Sequence, residues 1–185
     1  NDFFFFFDCD ITIVAGCGIH NGGCKTSQHD GIHTFRIGKN SVVRYVEKHY
    51  GEGEGSGKNI MNPTTVIFLD EGSRLEMETT QIGGVDSTER KTVATVGEKA
   101  TLVIKEKIMT ENEQIAKTDF TVNLDGFSSS ANIVSRSVAK NHSRQEFISR
   151  VNGNNNCHGH TECDAIIMDE AKVIAIPEVC ANDLN

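Results

Sequence analysis

The chain has 185 residues, in which 18 Lys and Arg face 26 Asp and Glu, and its formal net charge at pH 7 is −8. This length suits one domain, and we expect a single domain over residues 1–185. The acidic balance argues against nucleic acid and against an anionic membrane surface, because both partners select a basic face. No apolar run approaches the ~20 residues of a membrane helix, and no signal peptide is recognisable. We therefore expect a cytoplasmic protein with no membrane partner.

Strand patterns follow one another from the first residues to the last. Thr, Val and Ile are abundant, Pro is rare, and apolar residues alternate with polar ones in many places. In chain order, the predicted strands are Phe3–Phe7, Ile11–Ala15, Ser41–His49, Thr101–Lys107, Val134–Val138 and Glu146–Val151. These patterns predict an all-β fold.

Polar turns precede many of the predicted strands and recur about every 30 residues. Each turn consists of polar residues, then a small residue, then a β segment. The turns are Gly38–Ser41, Asp70–Ser73, Gly97–Ala100, Ser128–Ala131 and Asp169–Ala171. This repeat favours a β-helix, in which short strands bury a common core by stacking turn on turn. A β-sandwich is the structural alternative.

The glycine-rich segment Gly51–Lys58 has some similarity to a phosphate-binding loop. That motif needs four residues between the first glycine and the Gly-Lys pair, followed by Ser or Thr for magnesium. Here three residues separate Gly53 from Gly57, and Asn59 takes the hydroxyl position. We therefore predict a surface hairpin loop and not a nucleotide site.

Six cysteines form one group near each end of the chain. They are Cys9, Cys17 and Cys24, then Cys157, Cys163 and Cys180. Without a secretory signal, and at a size above that of disulfide scaffolds, reduced thiols are expected. Several of them are expected to be ordinary small buried residues.

The later group includes a dense Cys and His cluster over residues 157–163. Such side chains bind zinc or iron–sulfur species, but the C-x₂-C spacing of a structural zinc site is absent. On a strand, Cys163 and Thr161 share one face and Glu162 lies on the other. A functional thiol site at Cys163 is favoured over structural zinc and over simple packing.

The earlier group centres on Cys17, which lies between two glycines after the predicted strand Ile11–Ala15. Glycines on either side let the backbone bend and expose a thiol, and a nearby imidazole favours the reactive thiolate. His20, His29 and His33 are candidates by their proximity in sequence. The alternative, a buried structural cysteine at the end of a strand, is equally compatible with the spacing.

Four segments of the chain resemble the SufB/SufD family of iron–sulfur cluster assembly scaffold proteins. They are AGCGIH (15–20), GIHTFRIGKNSVVRYVEKHYGEG (31–53), SRSVAKNHSRQEFISRVNGN (135–154) and GHTECDAIIMDEAKVIAIPEV (159–179). Their order and spacing match over most of the chain, and the presence of both Cys17 and Cys163 is more SufB-like than SufD-like. The family continues with a His-Glu-Ala segment and helices, which this chain does not contain.

The resemblance implies a right-handed parallel β-helix, as a fragment that lacks the C-terminal helical region. It implies a scaffold and not an enzyme, because the ATPase activity belongs to a SufC-type ABC partner. The other implied partners are a cysteine desulfurase as sulfur donor and a SufB/SufD paralogue or a second copy, paired through the β-helix. A structural zinc-binding β module and a β-helix carbohydrate-active enzyme remain as alternatives.

The resemblance also implies roles for individual residues. Cys17 takes the place of the family's sulfur acceptor. Cys163 occupies the position of a family residue that is a ligand to the iron of a transient iron–sulfur cluster. This role is physically sensible because cluster iron prefers thiolate ligands. His160 and Glu162 are weaker candidates for cluster binding or proton handling beside Cys163.

Overall fold

The computed structural model describes residues 1–182, which form fifteen β-strands and no helix. The strands are β1 (Asp2–Phe5), β2 (Asp10–His20), β3 (Ser27–His29), β4 (Ile32–Ile37), β5 (Val42–Glu52), β6 (Asn59–Met61), β7 (Thr64–Leu69), β8 (Arg74–Ile82), β9 (Ser87–Val96), β10 (Thr101–Thr110), β11 (Ile115–Leu124), β12 (Ser130–Ala139), β13 (Arg144–Gly153), β14 (His158–Ile167) and β15 (Lys172–Ala181). Within residues 1–182, no helix is long and apolar enough to cross a bilayer.

Successive strands alternate between two parallel sheets. One sheet has six strands in the order β14-β12-β10-β8-β5-β2, and the other has nine, with β1-β4-β7-β9-β11-β13-β15 as its main path. Every described ladder is parallel, so the chain coils as a β-helix of six turns. The predicted all-β fold and β-helix are confirmed. The β-sandwich alternative is wrong, because hairpin-built sandwiches pair their strands antiparallel.

The corners of the β-helix are tight turns that contain a residue with positive φ. Asn40, Gly72, Lys99 and Ser128 adopt φ values of 57°, 68°, 53° and 57° just before strands of the six-stranded sheet. A hydrogen bond closes each turn, as in Ser41 N–H to the Gly38 carbonyl oxygen at 3.2 Å. The predicted turns are confirmed, and they recur at the predicted interval. The fourth turn spans residues 126–129, two residues earlier than predicted.

One half of the interior is apolar along the whole β-helix. In-register neighbours on successive turns stack like on like, which excludes water from the space between the sheets. The buried columns are Val43, Leu75, Leu102 and Ala131, and Tyr45, Met77, Ile104 and Ile133, facing Phe35, Ile67, Ala94 and Val122, and Ile37, Leu69, Val96 and Leu124. This half supplies the hydrophobic stabilisation of the fold.

The other half of the interior is polar, and we call it the polar half. It lies towards the carboxyl ends of the strands in the six-stranded sheet, where the inward positions change from apolar to polar. Its buried members are Glu47, Thr79, Glu106, Ser135, His49 and Gln81 from that sheet, and His33, Thr65, Thr92, Arg90 and Thr118 from the other. Buried polar groups are costly unless they are paired, so their partners decide what this half can do.

The glycine-rich segment is a corner loop and not the predicted hairpin. The N–H of Gly55 donates to the Asn21 carbonyl at 3.1 Å, and the N–H of Gly57 donates to the Gly23 carbonyl at 3.1 Å. These amides are the groups that a phosphate site would need, and here they fix the loop onto the turn beneath it. The strand that follows pairs in parallel with β3 and β9, which a hairpin connection would not allow.

The phenylalanine run is only partly a strand. Phe3 stacks on Phe35 with ring centroids 4.8 Å apart, and Phe5 also packs against the core. Phe4, Phe6 and Phe7 remain exposed, and β1 ends at Phe5. The run therefore begins inside the fold, as predicted, and leaves it at the first corner.

Candidate functional site

Cys17 lies on β2, an edge strand of the six-stranded sheet. Its side chain points inward, packs against Ile19, Met61 and Val85, and is half-buried. The backbone here is regular strand, so the flanking glycines do not bend it as expected. Gly18 has a different role, because a Cβ there would lie 2.7 Å from the ring of Tyr50, and its absence leaves room for that ring.

The in-register neighbour of Cys17 is His49, on the next turn of the β-helix. Glu47 lies two residues earlier on β5, with Oε2 at 3.2 Å from Nε2 of His49. Burial, and after it the Glu47 carboxylate, raise the pKa of the Cys17 thiol above its ordinary value. The thiol therefore has less thiolate than a free cysteine at neutral pH, and its reaction needs an acceptor for the proton.

The three histidines proposed from sequence proximity do not surround Cys17. His20 and His29 are exposed. His33 is buried in the polar half, where Nδ1 lies 3.4 Å from the hydroxyl oxygen of Tyr45 and 3.8 Å from Oε1 of Glu47. Burial lowers the pKa of His33, so it is a neutral ring at pH 7.

A buried ion pair continues the polar half away from Cys17. Nη1 of Arg90 donates to Oε1 of Glu106 at 2.8 Å, with side chains only 4% and 1% exposed. Thr118 donates to the same oxygen at 3.0 Å, and Ser135 donates to Oε2 at 2.9 Å. Nη2 of Arg90 lies 2.6 Å from Nδ1 of His49, which joins this pair to the surroundings of Cys17.

Cys163 lies at the other end of the polar half, in the interior column next to that of Cys17. Its in-register neighbour is Ser135, on the turn before, which donates to Glu106. Cys163 points inward from β14, the other edge strand of the six-stranded sheet, and is half-buried. Burial, then Glu106 and Asp164, raise the pKa of its thiol. Five strand spacings of about 4.8 Å place β2 and β14 about 24 Å apart.

His160 and Glu162 lie on the outer face of β14, opposite Cys163. Their side chains are 58% and 39% exposed, with Nε2 of His160 at 3.3 Å from Oε2 of Glu162. Arg136 reaches Glu162 at 3.8 Å and Asp164 at 3.5 Å on the same face. The structure therefore does not bring the pair together with Cys163, because alternation along a strand separates odd from even positions. The face predicted for Glu162 is confirmed.

Among residues 1–182, no group of three or more Cys, His, Asp or Glu side chains is arranged to hold a metal ion. The cluster that comes nearest in chemistry is His33, Glu47 and His49. There Arg90 donates to Nδ1 of His49, and a ring that accepts at Nδ1 carries its hydrogen on Nε2. That nitrogen has no lone pair for a metal, so the donor set does not fit one. Nothing in this part of the chain supports the structural zinc alternative.

The strongest features of the site were missed from sequence. They are His49, Arg90 and Glu106, which link the two cysteine ends through the polar half. Glu47 and His49 alternate with Tyr45 on one strand, and this pattern would place all three inward once the register is known. Arg90 and Glu106 carry no local signal, because each is a charged residue in an ordinary strand.

Comparison with known proteins gives a consistent result. Residues 8–183 match the family described as SUF system FeS cluster assembly, SufBD core domain. An iron-sulfur cluster assembly SufBD family protein of Methanocaldococcus jannaschii is 28% identical over 181 residues, which are 95% of this chain and 55% of the relative. A protein of the same description from Archaeoglobus fulgidus is 25% identical over 174 residues, 92% of this chain and 45% of the relative.

A third relative, from Pyrococcus horikoshii, is 25% identical over 162 residues, which are 83% of this chain and 46% of the relative. The chain therefore spans about half the length of the curated relatives it matches. The parallel β-helix and the family match agree with the resemblance found in the sequence motifs. The chain belongs to the SufBD core domain family of the SUF iron–sulfur cluster assembly system.

Proposed function

We propose that the protein is a scaffold of SUF-type cluster assembly, in which Cys17 accepts sulfur and Cys163 supplies a thiolate to the nascent cluster. The cluster is cargo that is built and passed on, and the protein itself catalyses no metabolic reaction. The observation that carries the proposal is the placement of the two inward thiols on the two edge strands of one sheet. The family assignment favours this role over a carbohydrate-active enzyme.

The placement of Cys17 suits sulfur acceptance. Its thiol is only half-buried, so a donor can reach it from outside the β-helix. The thiolate attacks the outer sulfur of a donor persulfide, and the donor leaves as a thiol once it has taken up the proton. A cysteine desulfurase that carries sulfur as a persulfide is the class of donor that fits this chemistry.

The placement of Cys163 suits a cluster shared between chains. One thiolate cannot hold a cluster, since iron in clusters takes several protein ligands. No group of three or more Cys, His, Asp or Glu side chains within residues 1–182 is arranged to hold a metal ion. We therefore propose that further ligands come from a partner subunit or from parts of the protein outside these residues.

The last turn also carries an unusual amount of exposed apolar surface. The exposed side chains are Ile166, Ile167, Met168, Ile174, Ile176 and Val179. Ile166, Ile174 and Ile176 lie on the outer faces of the two sheets, where exposed apolar side chains suit a partner surface. We propose that a second copy or a SufB/SufD paralogue pairs here, and that a SufC-type ABC ATPase drives the assembly, in the cytoplasm. A SufB-like role follows from the presence of both cysteines.

The test is anaerobic reconstitution of the protein, with its ATPase partner, using ferrous iron and sulfide. Visible absorption is recorded for the wild type and for Cys17→Ala, Cys163→Ala and Cys180→Ala. Cys180 is an exposed thiol on the same turn as Cys163, which makes it a matched control. We expect charge-transfer bands in the wild type and in Cys180→Ala, and at least severalfold weaker bands in Cys163→Ala.

With inorganic sulfide, Cys17→Ala should reconstitute normally, because the acceptor step is bypassed. When a desulfurase supplies the sulfur instead, the same variant should fail. Wild-type bands that persist unchanged in Cys163→Ala would refute the ligand role. A Cys17→Ala protein that assembles clusters from desulfurase sulfur at the wild-type rate would refute the acceptor role.

A further inference from the structure

The Nε2 atom of the buried His49 side chain has no well-aligned hydrogen-bond acceptor. The residue is only 3% exposed, and its Nε2 atom makes no hydrogen bond with the described residues. Oε2 of Glu47 lies 3.2 Å away, but the contact is not aligned as a hydrogen bond. A buried polar atom left in this state costs stability, so its retention calls for an explanation.

Arg90 determines which nitrogen of His49 carries the hydrogen. A guanidinium group has only donors, and Nη2 of Arg90 lies 2.6 Å from Nδ1 of His49. Nδ1 must therefore accept, and the hydrogen of the imidazole lies on Nε2. The polar half thus holds a buried N–H group on the residue that pairs in register with Cys17.

Cys17 and His49 are direct neighbours across β2 and β5, and both side chains leave the sheet on its inner face. Neighbouring strands are about 4.8 Å apart, so the two side chains occupy adjacent positions on the inner face of the sheet. A persulfide adds one sulfur atom at about 2 Å from Sγ and extends the side chain by that length. The added atom is the part of the group that bears negative charge.

We propose that the Nε2–H group of His49 binds the terminal sulfur of a persulfide on Cys17. His49 thereby stabilises the sulfur-loaded state, whereas in the unloaded protein its N–H has only the poorly aligned Glu47 carboxylate nearby. The inference rests on the proposed acceptor role of Cys17. It adds a residue that determines how long the accepted sulfur stays in place, and it gives a reason for the unpaired donor.

The loading step balances without an outside oxidant. The Cys17 thiol loses its proton, and its sulfur attacks the outer sulfur of glutathione persulfide, used here as the probe. The Sγ–S bond forms while the S–S bond of the probe breaks, and glutathione leaves as a thiol with the proton. The product is a Cys17 persulfide, which releases its remaining proton to solvent. The resulting anion accepts a hydrogen bond from His49 and is repelled by the like charge of Glu47.

Two substitutions separate the donor from the rest of the ring. His49→Asn keeps an acceptor near the Nδ1 position for Arg90 but ends short of Nε2. His49→Gln places an amide N–H near the Nε2 position and serves as the matched rescue variant. Both are made in a background in which Cys9, Cys24, Cys157, Cys163 and Cys180 are replaced by Ala, so that mass spectrometry assigns the persulfide to Cys17 alone.

The measurement is the equilibrium between glutathione persulfide and the Cys17 persulfide, with the alkylation rate of the unloaded thiol as a second readout. A hydrogen bond to a charged group predicts a loss of roughly tenfold or more in persulfide yield for His49→Asn. We expect substantial recovery in His49→Gln and little change in the alkylation of the unloaded thiol. A merely structural role would shift both readouts together.

The outcomes distinguish the inference from the function on which it rests. Wild-type protein that takes up no persulfide at Cys17 overturns both. Wild type and His49→Asn that load equally well overturn the role of His49 and leave Cys17 as an acceptor. Glu47→Gln supplies an independent check, because removal of the nearby charge should raise the persulfide yield above that of the wild type.

Discussion

Substitution of Arg90 is the most decisive test of the buried ion pair in the polar half, because it removes one partner and leaves the other charge in place. Arg90→Met leaves the Glu106 carboxylate, 1% exposed, with only the hydroxyl donors of Thr118 and Ser135. It also leaves Nδ1 of His49 without its donor at 2.6 Å. Breaking a buried ion pair from one side costs about 3–5 kcal/mol, because the other charge stays buried and uncompensated.

The size of this expected loss of stability is determined by the burial of the two charges and not by the distance between them. Arg44 and Asp10 form a pair at 2.7 Å, almost the same separation as in the buried pair, but their side chains are 45% and 70% exposed. Exposed pairs contribute about 0–1 kcal/mol. Arg44→Met is therefore the matched control, with an expected effect below about 1 kcal/mol.

Urea unfolding followed by circular dichroism gives the free energy of unfolding for each variant. At about 2–4 °C per kcal/mol for a chain of this size, Arg90→Met should also lower the Tm by roughly 6–20 °C. A double variant, Arg90→Met with Glu106→Leu, should recover most of the loss, because no charge is left buried. A loss below about 1 kcal/mol for Arg90→Met, equal to the control, would refute the proposed network.

Two further predictions concern the backbone and the response to acid. A Cβ at Gly51 would lie 1.7 Å from the Gly84 carbonyl oxygen, so Gly51→Ala should cost at least about 2 kcal/mol, whereas Gly16→Ala meets nothing within 4 Å and should be near neutral in the same thermal melts. Burial works to raise the pKa of Glu47, but contacts with His49, His33 and Tyr45 hold it below its ordinary value of 4.5. Its contribution to stability is thus present above pH 4.5 and lost as the pH falls through the lower folded value. The pKa of His33 is lowered in the folded protein, so through this residue the protein begins to lose stability at a higher pH than through Glu47. This loss begins below about pH 6.5, where the unfolded chain takes up a proton on His33 and the folded chain does not. Urea midpoints between pH 8 and pH 3 should fall in both windows, and a Glu47→Gln variant with an unchanged slope below 4.5 would contradict this assignment.

The fold could be predicted from the sequence because its signals are local and repeated. Polar turns such as Gly38–Ser41 place a left-handed residue at each corner, and the corners recur about every 30 residues. A parallel β-helix was one of two architectures compatible with these repeated turns, and the other was a β-sandwich. The choice between them required the motif resemblance, because strand pairing is a long-range property that alternation within one strand does not encode.

The site could be predicted only in part, for the same reason. Cys17 and Cys163 stood out as cysteines in unusual local sequences. The partners of Cys17 did not, because His49 lies 32 residues further along and becomes its neighbour only when β2 and β5 pair in register. His160 and Glu162 were selected for their proximity to Cys163 in sequence, and strand alternation places both side chains on the outer face of β14.

The interior is divided into an apolar half and a polar half, and this raises the question of what the polar half contributes to the protein. The apolar half alone supplies a continuous hydrophobic core, and a charge pair in the other half is not a strong source of stability. A chain under selection for stability alone would be served as well by leucines at Arg90 and Glu106. The double variant therefore separates the two explanations. If it folds as stably as the wild type but no longer assembles clusters from desulfurase sulfur, then the buried charges are retained for chemistry between Cys17 and Cys163. If it assembles clusters normally but is less stable than the wild type, they are retained for the structure.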